Sequence, residues 1–500
     1  MGAFGAWQPD RGEIASPLMV ADGCIPTPDG WGPYPSLFSP STATALPDAP
    51  RGVFSVVLNA GQWEAFGFTS SAFYQLNADF TWTSAIGSGY ACPTGYDWSG
   101  LHFGNKLLFT NTVDGLHSYD VEAGGAVSYI SAAGDPGFVF TCANFVIALN
   151  CKDASGNRDA RLIKTSGFND QTNWTTDGAD YQELADGENL LCGFDLKQNN
   201  ALLVQQRAFV LMQFGNAPGG AQFSLQKISN GRGAVGAKSC VSFDGLVFGL
   251  ATDGFWRFDL TNGLKFIGAN EVDQTFLQAV DQGNFGLVQG AVDPIRRVVL
   301  WRYKRSVDSS TTVSEVAIGY EWEIDRWFTV TEQSSYLTRL ATVAVSYDAA
   351  TGTYDSQTLT YDDLFWTGAA PLFGALDGSY RFAFRTGPSL AATLTTGVAM
   401  APVRMKFLWA TPTTDAAAPT LDIGVKDALP DSIVFQGPAS PTDGGRVPLD
   451  AQGLYYQMRL LIPAGDTYTY ANGIEKILNA NGIIKLPNGR RRIVPLGGPK

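Results

Sequence analysis

The sequence predicts an all-β chain: a β-propeller of about six or seven blades, with an extended N-terminal arm and a C-terminal β-sandwich. Three observations lead there. A phrase of strand, Asp-Gly turn, aromatic strand and closing Asp occurs twice, as Asn111 to Asp120 around Asp114-Gly115 and as Ala251 to Asp259 around Asp253-Gly254. Short apolar runs separated by turn residues continue from Gly52 to about residue 385. No sustained helical period interrupts them, except over Asp273 to Val280. A chain that repeats such phrases builds small antiparallel sheets one after another; 52–385 has room for six or seven at about 45 to 50 residues per blade, within a propeller expected over 52–393. An irregular double sandwich is the competing reading.

The elements come in this order along the chain. Residues 1–51 carry Pro26, Pro28, Pro33, Pro35, Pro40, Pro47 and Pro50, which remove backbone donors and exclude a helix or central strand. Trp7 and Trp31 are poor choices for a solvated linker, so the arm is expected to be ordered against its own body or a neighbouring subunit, with both tryptophans as candidate docking residues. Strands are expected at Val53 to Leu58, Glu64 to Thr69, Phe73 to Leu76, Lys106 to Thr110, Phe138 to Thr141 and Phe145 to Leu149. Ala201 to Phe214 and Val241 to Leu250 read as strand-like runs. Further strands are expected at Arg297 to Tyr303, Glu315 to Trp322, Trp327 to Thr329, Leu340 to Ser346, Thr358 to Tyr361 and Tyr380 to Phe384. The texture changes near Leu394, and 394–475 reads as a separate sandwich with strands at Arg404 to Leu408, Thr420 to Val425, Asp431 to Phe435, Leu454 to Ile462 and Thr467 to Tyr470.

The last segment, 476–500, holds six basic residues and no acid, so Arg490, Arg491 and Arg492 are candidates for docking on an acidic neighbour. The whole chain carries −13, and its body is more acidic still. That excludes nucleic-acid binding by broad phosphate neutralisation, although an acidic conduit suits nucleic acid that must slide without sticking. Only 16% of residues are charged against 45% apolar, which suggests surface covered by partners or simply the aromatic richness of all-β chains. The six cysteines lack metal or disulfide spacing, which points to a reducing assembly compartment. The N-terminus lacks a signal-peptide pattern and no apolar run is long enough to span a bilayer, so a soluble protein is expected.

Tests for chemistry assign no catalytic, cofactor or metal residue. Gly231-Arg232-Gly233-Ala234-Val235-Gly236 matches a dinucleotide fingerprint, but the residues after it, Ser239 to Leu250, read as strand rather than helix, so it is a loop between blades. His102 and His117 sit beside aromatics and read as structural. Asp97, Asp180, Glu183, Asp273, Glu321 and Glu323 could in principle supply a glycosidase carboxylate pair, but turn roles explain such acids better.

A longer series of phrases carries a resemblance. Asn169-Asp170-Gln171-Thr172-Asn173-Trp174 is followed by Asp186-Gly187, by a strand pair ending Val210-Leu211-Met212-Gln213-Phe214, and by Ile228 to Gly233. Asp253 to Asp259, Val292-Asp293-Pro294, Val298 to Trp301, Tyr320-Glu321-Trp322 and Arg326-Trp327 continue it, and Gly453 to Arg459 with Ile462 to Gly465 close it. Together these resemble the tail hub or nozzle proteins of short-tailed bacteriophages, also described as tail tubular or packaged-DNA stabilisation proteins. The resemblance spans about 165 to 475 and rests on the order of the phrases. It implies a propeller subunit of a homo-oligomeric ring, usually a hexamer, in the virion tail, assembled in the host cytoplasm. Such a ring lies below the portal and the adaptor (head–tail connector) proteins, and tail fibres or tailspikes are further partners. Genomic DNA passes through it without sequence-specific binding; the ring closes the channel after packaging and opens for ejection, with no covalent chemistry, cofactor or membrane anchor. Two other classes stay open, a carbohydrate-binding or glycan-cleaving propeller used in host-surface recognition and a generic propeller scaffold.

Overall fold

The computed structural model describes residues 2–58, 63–185, 188–215, 221–341, 371–442, 444–479, 482–485 and 491–494. It is an all-β propeller with a C-terminal sheet attached.

Five blades are four-stranded antiparallel meanders, each built from consecutive chain. Blade 1 comprises Gly52–Val57, Trp63–Phe68, Ala72–Gln75 and Gly87–Ser88. Blade 2 comprises Ser99–Phe103, Lys106–Thr110, His117–Asp120 and Ser128–Tyr129. Blade 3 holds Phe138–Cys142, Phe145–Lys152, Arg158–Thr165 and Asp180–Glu183, and blade 4 holds Leu190–Lys197, Asn200–Gln205, Ala208–Phe214 and Phe223–Asn230. Blade 5 is Val241–Phe243, Leu246–Ala251, Gly254–Asp259 and Gly263–Phe266. In blade 6, Gln289–Asp293, Val298–Tyr303 and Ser314–Glu321 are followed by the first half of the 16-residue strand Arg326–Ala341. The second half of that strand is the inner strand of blade 7, where it pairs with Pro371–Asp377, which in turn pairs with Phe382–Phe384.

Local chemistry explains the turns. In blade 2 the Asn111 side chain accepts from the amides of Val113 and Asp114 at 2.8 and 2.9 Å, which fixes the Asp-Gly turn. The strand-like runs Ala201 to Phe214, expected to end as a strand pair, and Val241 to Leu250 are each a hairpin. The second folds back at Asp244-Gly245, whose φ angles of 54° and 84° suit the tight turn that matches sheet twist. Asp273–Ala279 is an α-helix between blades 5 and 6.

Side chains stitch neighbouring blades together. Trp98 donates its indole N–H to the Thr69 carbonyl across blades 1 and 2, and Trp301 donates to the Ser239 carbonyl across the entry to blade 5 and blade 6. Ser99 donates to the Val139 carbonyl and accepts from the Val139 amide between blades 2 and 3. Gln289 makes the same two-way exchange with the Leu337 backbone between blades 6 and 7, and Thr338 closes the ring by donating to the Val53 carbonyl of blade 1. Each bond satisfies a buried polar group that the curvature of the ring would otherwise leave alone. Aromatic rings fill the wedges. Phe140 of blade 3 lies so close to Gly193 of blade 4 that a side chain there would meet the ring at 2.4 Å.

The N-terminal arm is part of the fold. Phe38 and Phe384 exchange backbone hydrogen bonds of 2.7 and 2.9 Å, and Leu46 donates to Tyr380 at 2.9 Å, so residues 35–46 form the outer edge of blade 7. Nearer the terminus, Leu18–Asp22 pairs with Ala392–Thr396, and the hairpin Cys24–Thr27 with Gly30–Pro33 meets Ala471–Asn479. Leu18–Asp22 also touches Arg326–Ala341. The C-terminal strands Ala392–Thr396, Ala399–Thr414, Thr420–Lys426, Val447–Ile462 and Ala471–Asn479 therefore share one continuous 16-stranded sheet with blades 6 and 7. This corrects the expectation of a unit that stands apart. Two further expectations change. Thr467 to Tyr470 is not a strand, because the Asp415 carboxylate takes the amides of Thr469 and Tyr470 that a ladder would use. The strand Ala471–Asn479 runs through the boundary drawn at 475. The strands expected at Thr358 to Tyr361 and over most of Leu340 to Ser346 lie outside the described residues.

Candidate functional site

Seven inner strands, one per blade, surround a cavity of about 700 Å³ on the propeller axis. Its wall is mixed. Val53, Phe138, Leu190 and Leu337 supply apolar surface, while His102, Asn150 and Gln289 supply polar groups. The size falls in the range of small-molecule sites, about 300 to 1,000 Å³, and is too small for a nucleic-acid duplex.

His102 projects from the inner strand of blade 2, and its Nε2 is buried without a hydrogen-bond partner. Burial lowers its pKa, which favours the neutral ring at pH 7. His117 lies in the packing of blade 2, stacked on Phe109 with centroids 5.5 Å apart and with Nδ1 3.1 Å from the Gly115 carbonyl. At one end of the axial cavity Lys238 and Asp97 form an ion pair at 3.3 Å, both largely buried. Burial lowers the Lys238 pKa, opposed by the Asp97 carboxylate.

The carboxylates weighed from sequence are dispersed among separate partners. Glu321 caps a turn by accepting from the amides of Glu323 and Ile324, and Glu323 pairs with Arg297. Glu183 pairs with Arg161, Asp180 accepts from the Tyr181 amide, and Asp273 accepts from the Phe255 amide at 3.1 Å. Burial raises the Asp273 pKa to about 6. Among the described residues no cluster of three or more His, Cys, Asp or Glu could hold a metal ion, and no helix is long and apolar enough to cross a membrane. Gly231 to Gly236 is the loop entering blade 5, where Gly233 lies so close that a side chain would collide with the Gln205 carbonyl.

The candidate docking residues separate into two sets. Trp7 and Trp31 are buried within this chain. The Trp7 indole donates to the Met19 carbonyl at 3.0 Å and the Trp31 indole to the Gly5 carbonyl at 3.3 Å. Both bonds close within the arm, and both rings pack in the core that the arm shares with blade 6 and the C-terminal strands, which corrects their reading as a docking surface; aromatic size and an indole that needs a partner serve an internal clamp equally well. Arg490 lies outside the described residues, and Arg491 and Arg492 belong to the hairpin Gly482–Lys485 with Arg491–Val494. Sequence reasoning missed Arg302, although a lone cation inside the otherwise uncharged run Val298–Tyr303 was its signal.

No protein-family model and no curated protein matches the chain. Solved structures do. A streptogramin B lyase structure aligns with 71% of this chain and 97% of its own at a TM-score of 0.40 and 11% identity. The Cps50 (Swd1) β-propeller domain of Myceliophteria thermophila aligns with 67% of this chain and 99% of its own at a TM-score of 0.36 and 9% identity.

Proposed function

We propose that this chain is a structural subunit of the tail hub, or nozzle, of a short-tailed bacteriophage virion. In this reading it forms a homo-oligomeric ring, a hexamer, that extends the DNA channel below the portal and adaptor, retains the packaged genome and opens for ejection. The observation that carries the reading is the ordered series of phrases between about 165 and 475. Their positions in the fold support it. Asn169 to Trp174 forms the loop joining the third and fourth strands of blade 3, and Asp253 to Asp259 is a turn and strand of blade 5. The Asp293 carboxylate of the Val-Asp-Pro phrase is fully buried and accepts from the Ile295 and Arg296 amides, so the phrase specifies a turn. The role asks for rigidity and partner surfaces, and a ring of side-chain-stitched blades supplies the first. With an axial cavity too small for a duplex, the DNA conduit belongs to the ring of subunits, and tail fibres or tailspikes belong to its periphery.

Cryo-electron microscopy of the purified full chain, alone and mixed with its adaptor, tests this. A ring around a central channel is expected. A monodisperse monomer at high concentration in both samples would overturn the reading and direct attention to glycan binding at the axial cavity.

A further inference from the structure

Beside the axial cavity, where inner strands begin, lies a second cavity of about 330 Å³. Three cations line it: Arg51 ahead of blade 1, Lys238 ahead of blade 5 and Arg302 from the second strand of blade 6. Asp97, ahead of blade 2, is the one carboxylate among its described lining residues, and it is engaged by Lys238. No described carboxylate lies within ion-pair distance of Arg51 or Arg302.

Arg302 is the unusual member. It is buried, and among the described residues its guanidinium donates only to neutral oxygens, from Nε to Ser314 Oγ at 3.2 Å and from Nη2 to the Thr312 carbonyl at 3.1 Å. Arg51 has its Nε buried with no hydrogen-bond partner. A buried guanidinium without a counter-ion is among the costliest groups a protein can hold, and removing the anion of a buried pair leaves this arrangement. Burial accordingly pushes the Arg302 pKa down to about 10, opposed by the charge of Asp97, the carboxylate that Lys238 already engages. The adjoining Lys304 and Asp281 neutralise each other at 2.6 Å, so they leave the local excess of positive charge in place.

We propose that this cavity binds a small dianionic oxyanion of the phosphate class, held by Arg51, Lys238 and Arg302. Three cations against one carboxylate leave two positive charges, which a dianion balances. Guanidinium forks match the geometry of phosphate oxygens, and a lysine supplies a compact point charge. The volume sits at the lower end of ligand pockets, which suits inorganic phosphate or a small phosphate ester and excludes a polymer. The lining comes from the entries to blades 1, 2, 5 and 6 and from Ser335 and Tyr336 at the start of the inner strand of blade 7. Occupancy therefore ties together blades on both sides of the ring closure. The proposal is independent of the hub reading and stands on binding alone.

Isothermal titration of the full-length chain with inorganic phosphate, with chloride at matched ionic strength as control, tests it. One phosphate per chain is expected, with a rise in unfolding temperature that tracks phosphate concentration. Arg302→Met and Lys238→Met are each expected to weaken phosphate binding at least about tenfold. Arg51→Gln, at the less buried edge, is expected to weaken it several-fold and keeps the test open if Arg302→Met does not fold. Absence of phosphate binding, an equal response to chloride, or binding untouched by Lys238→Met and Arg51→Gln would each overturn the assignment.

Discussion

Blade 2 and blade 7 make the same four-layered shape in opposite ways. Blade 2 uses Ser99 to Tyr129 without a break, and each turn is set by residues inside it, such as Asn111 and Gly115. Blade 7 takes its inner strand from the second half of Arg326–Ala341, its middle from Pro371–Phe384 and its outer edge from residues 35–46. The junction of arm and blade is held by a buried pair. Glu332 accepts from Arg385 and from the Leu37 amide at 2.6 Å, while Arg385 also donates to the Pro35 carbonyl at 3.2 Å and lies over the Tyr34 ring. A propeller can thus let most blades form locally while its closure rests on contacts between distant segments, here Thr338 with Val53 and the arm with blade 7. Such contacts carry the largest loop-closure entropy of the fold.

Four perturbations, one of them paired with a control in a local blade, probe this contrast, the most severe first. Deleting residues 2–46 removes the outer edge of blade 7 and uncovers Phe382 and Phe384; loss of the cooperative thermal transition is expected, and a transition within a few degrees of the full chain would show the clasp to be dispensable. Arg385→Ala strands Glu332 as a buried charge and is expected to cost about 3 to 5 kcal/mol in urea unfolding. The matching change in a local blade, Arg161→Ala in its exposed pair with Glu183, is expected to cost under about 1 kcal/mol, and equal costs would remove the distinction.

Asp10 gives a smaller effect. From the arm it accepts from the Gln274 and Thr275 amides at 2.7 and 2.8 Å, capping the helix Asp273–Ala279 in place of a local residue. Asp10→Ala is expected to destabilise by about 1 to 2 kcal/mol and to speed hydrogen exchange at those amides, and unchanged exchange would argue against the cap. The last effect, of similar size, is confined to a pH window. Asp273 has a folded pKa of about 6, raised chiefly by burial and further by Asp10 and Asp253, above an unfolded value of about 3.9. The native state therefore binds this proton more tightly, and stability is lost as pH rises from the unfolded value through the folded one. Asp273→Asn keeps an acceptor for the Phe255 amide. Relative to wild type it is expected to gain on the order of 1 to 2 kcal/mol between pH 4 and pH 7; a difference constant with pH would dismiss the linkage.

How far the fold can be read depends on contact range. Lys106–Thr110 has the bounds expected of it, and the Asp-Gly phrases of blades 2 and 5 are turns between strands. Trp327 to Thr329 reads as a short strand in sequence, yet Arg326–Ala341 runs for 16 residues because its two halves serve different blades. Alternation in one stretch cannot announce two partners. The cationic cavity is equally hidden, since Arg51, Asp97, Lys238 and Arg302 meet only once the ring has closed.

The all-β class, the repeating meander and the turn chemistry are written in the sequence alone, because strands and tight turns answer to residues within about ten positions. Tertiary packing was needed to settle that the arm completes blade 7, that Trp7 and Trp31 face inward, and that the C-terminal strands join the propeller in one sheet. Those outcomes depend on core packing and backbone hydrogen bonds between segments far apart in the chain, and an apolar ring or a backbone donor looks the same in sequence whichever partner it finally meets.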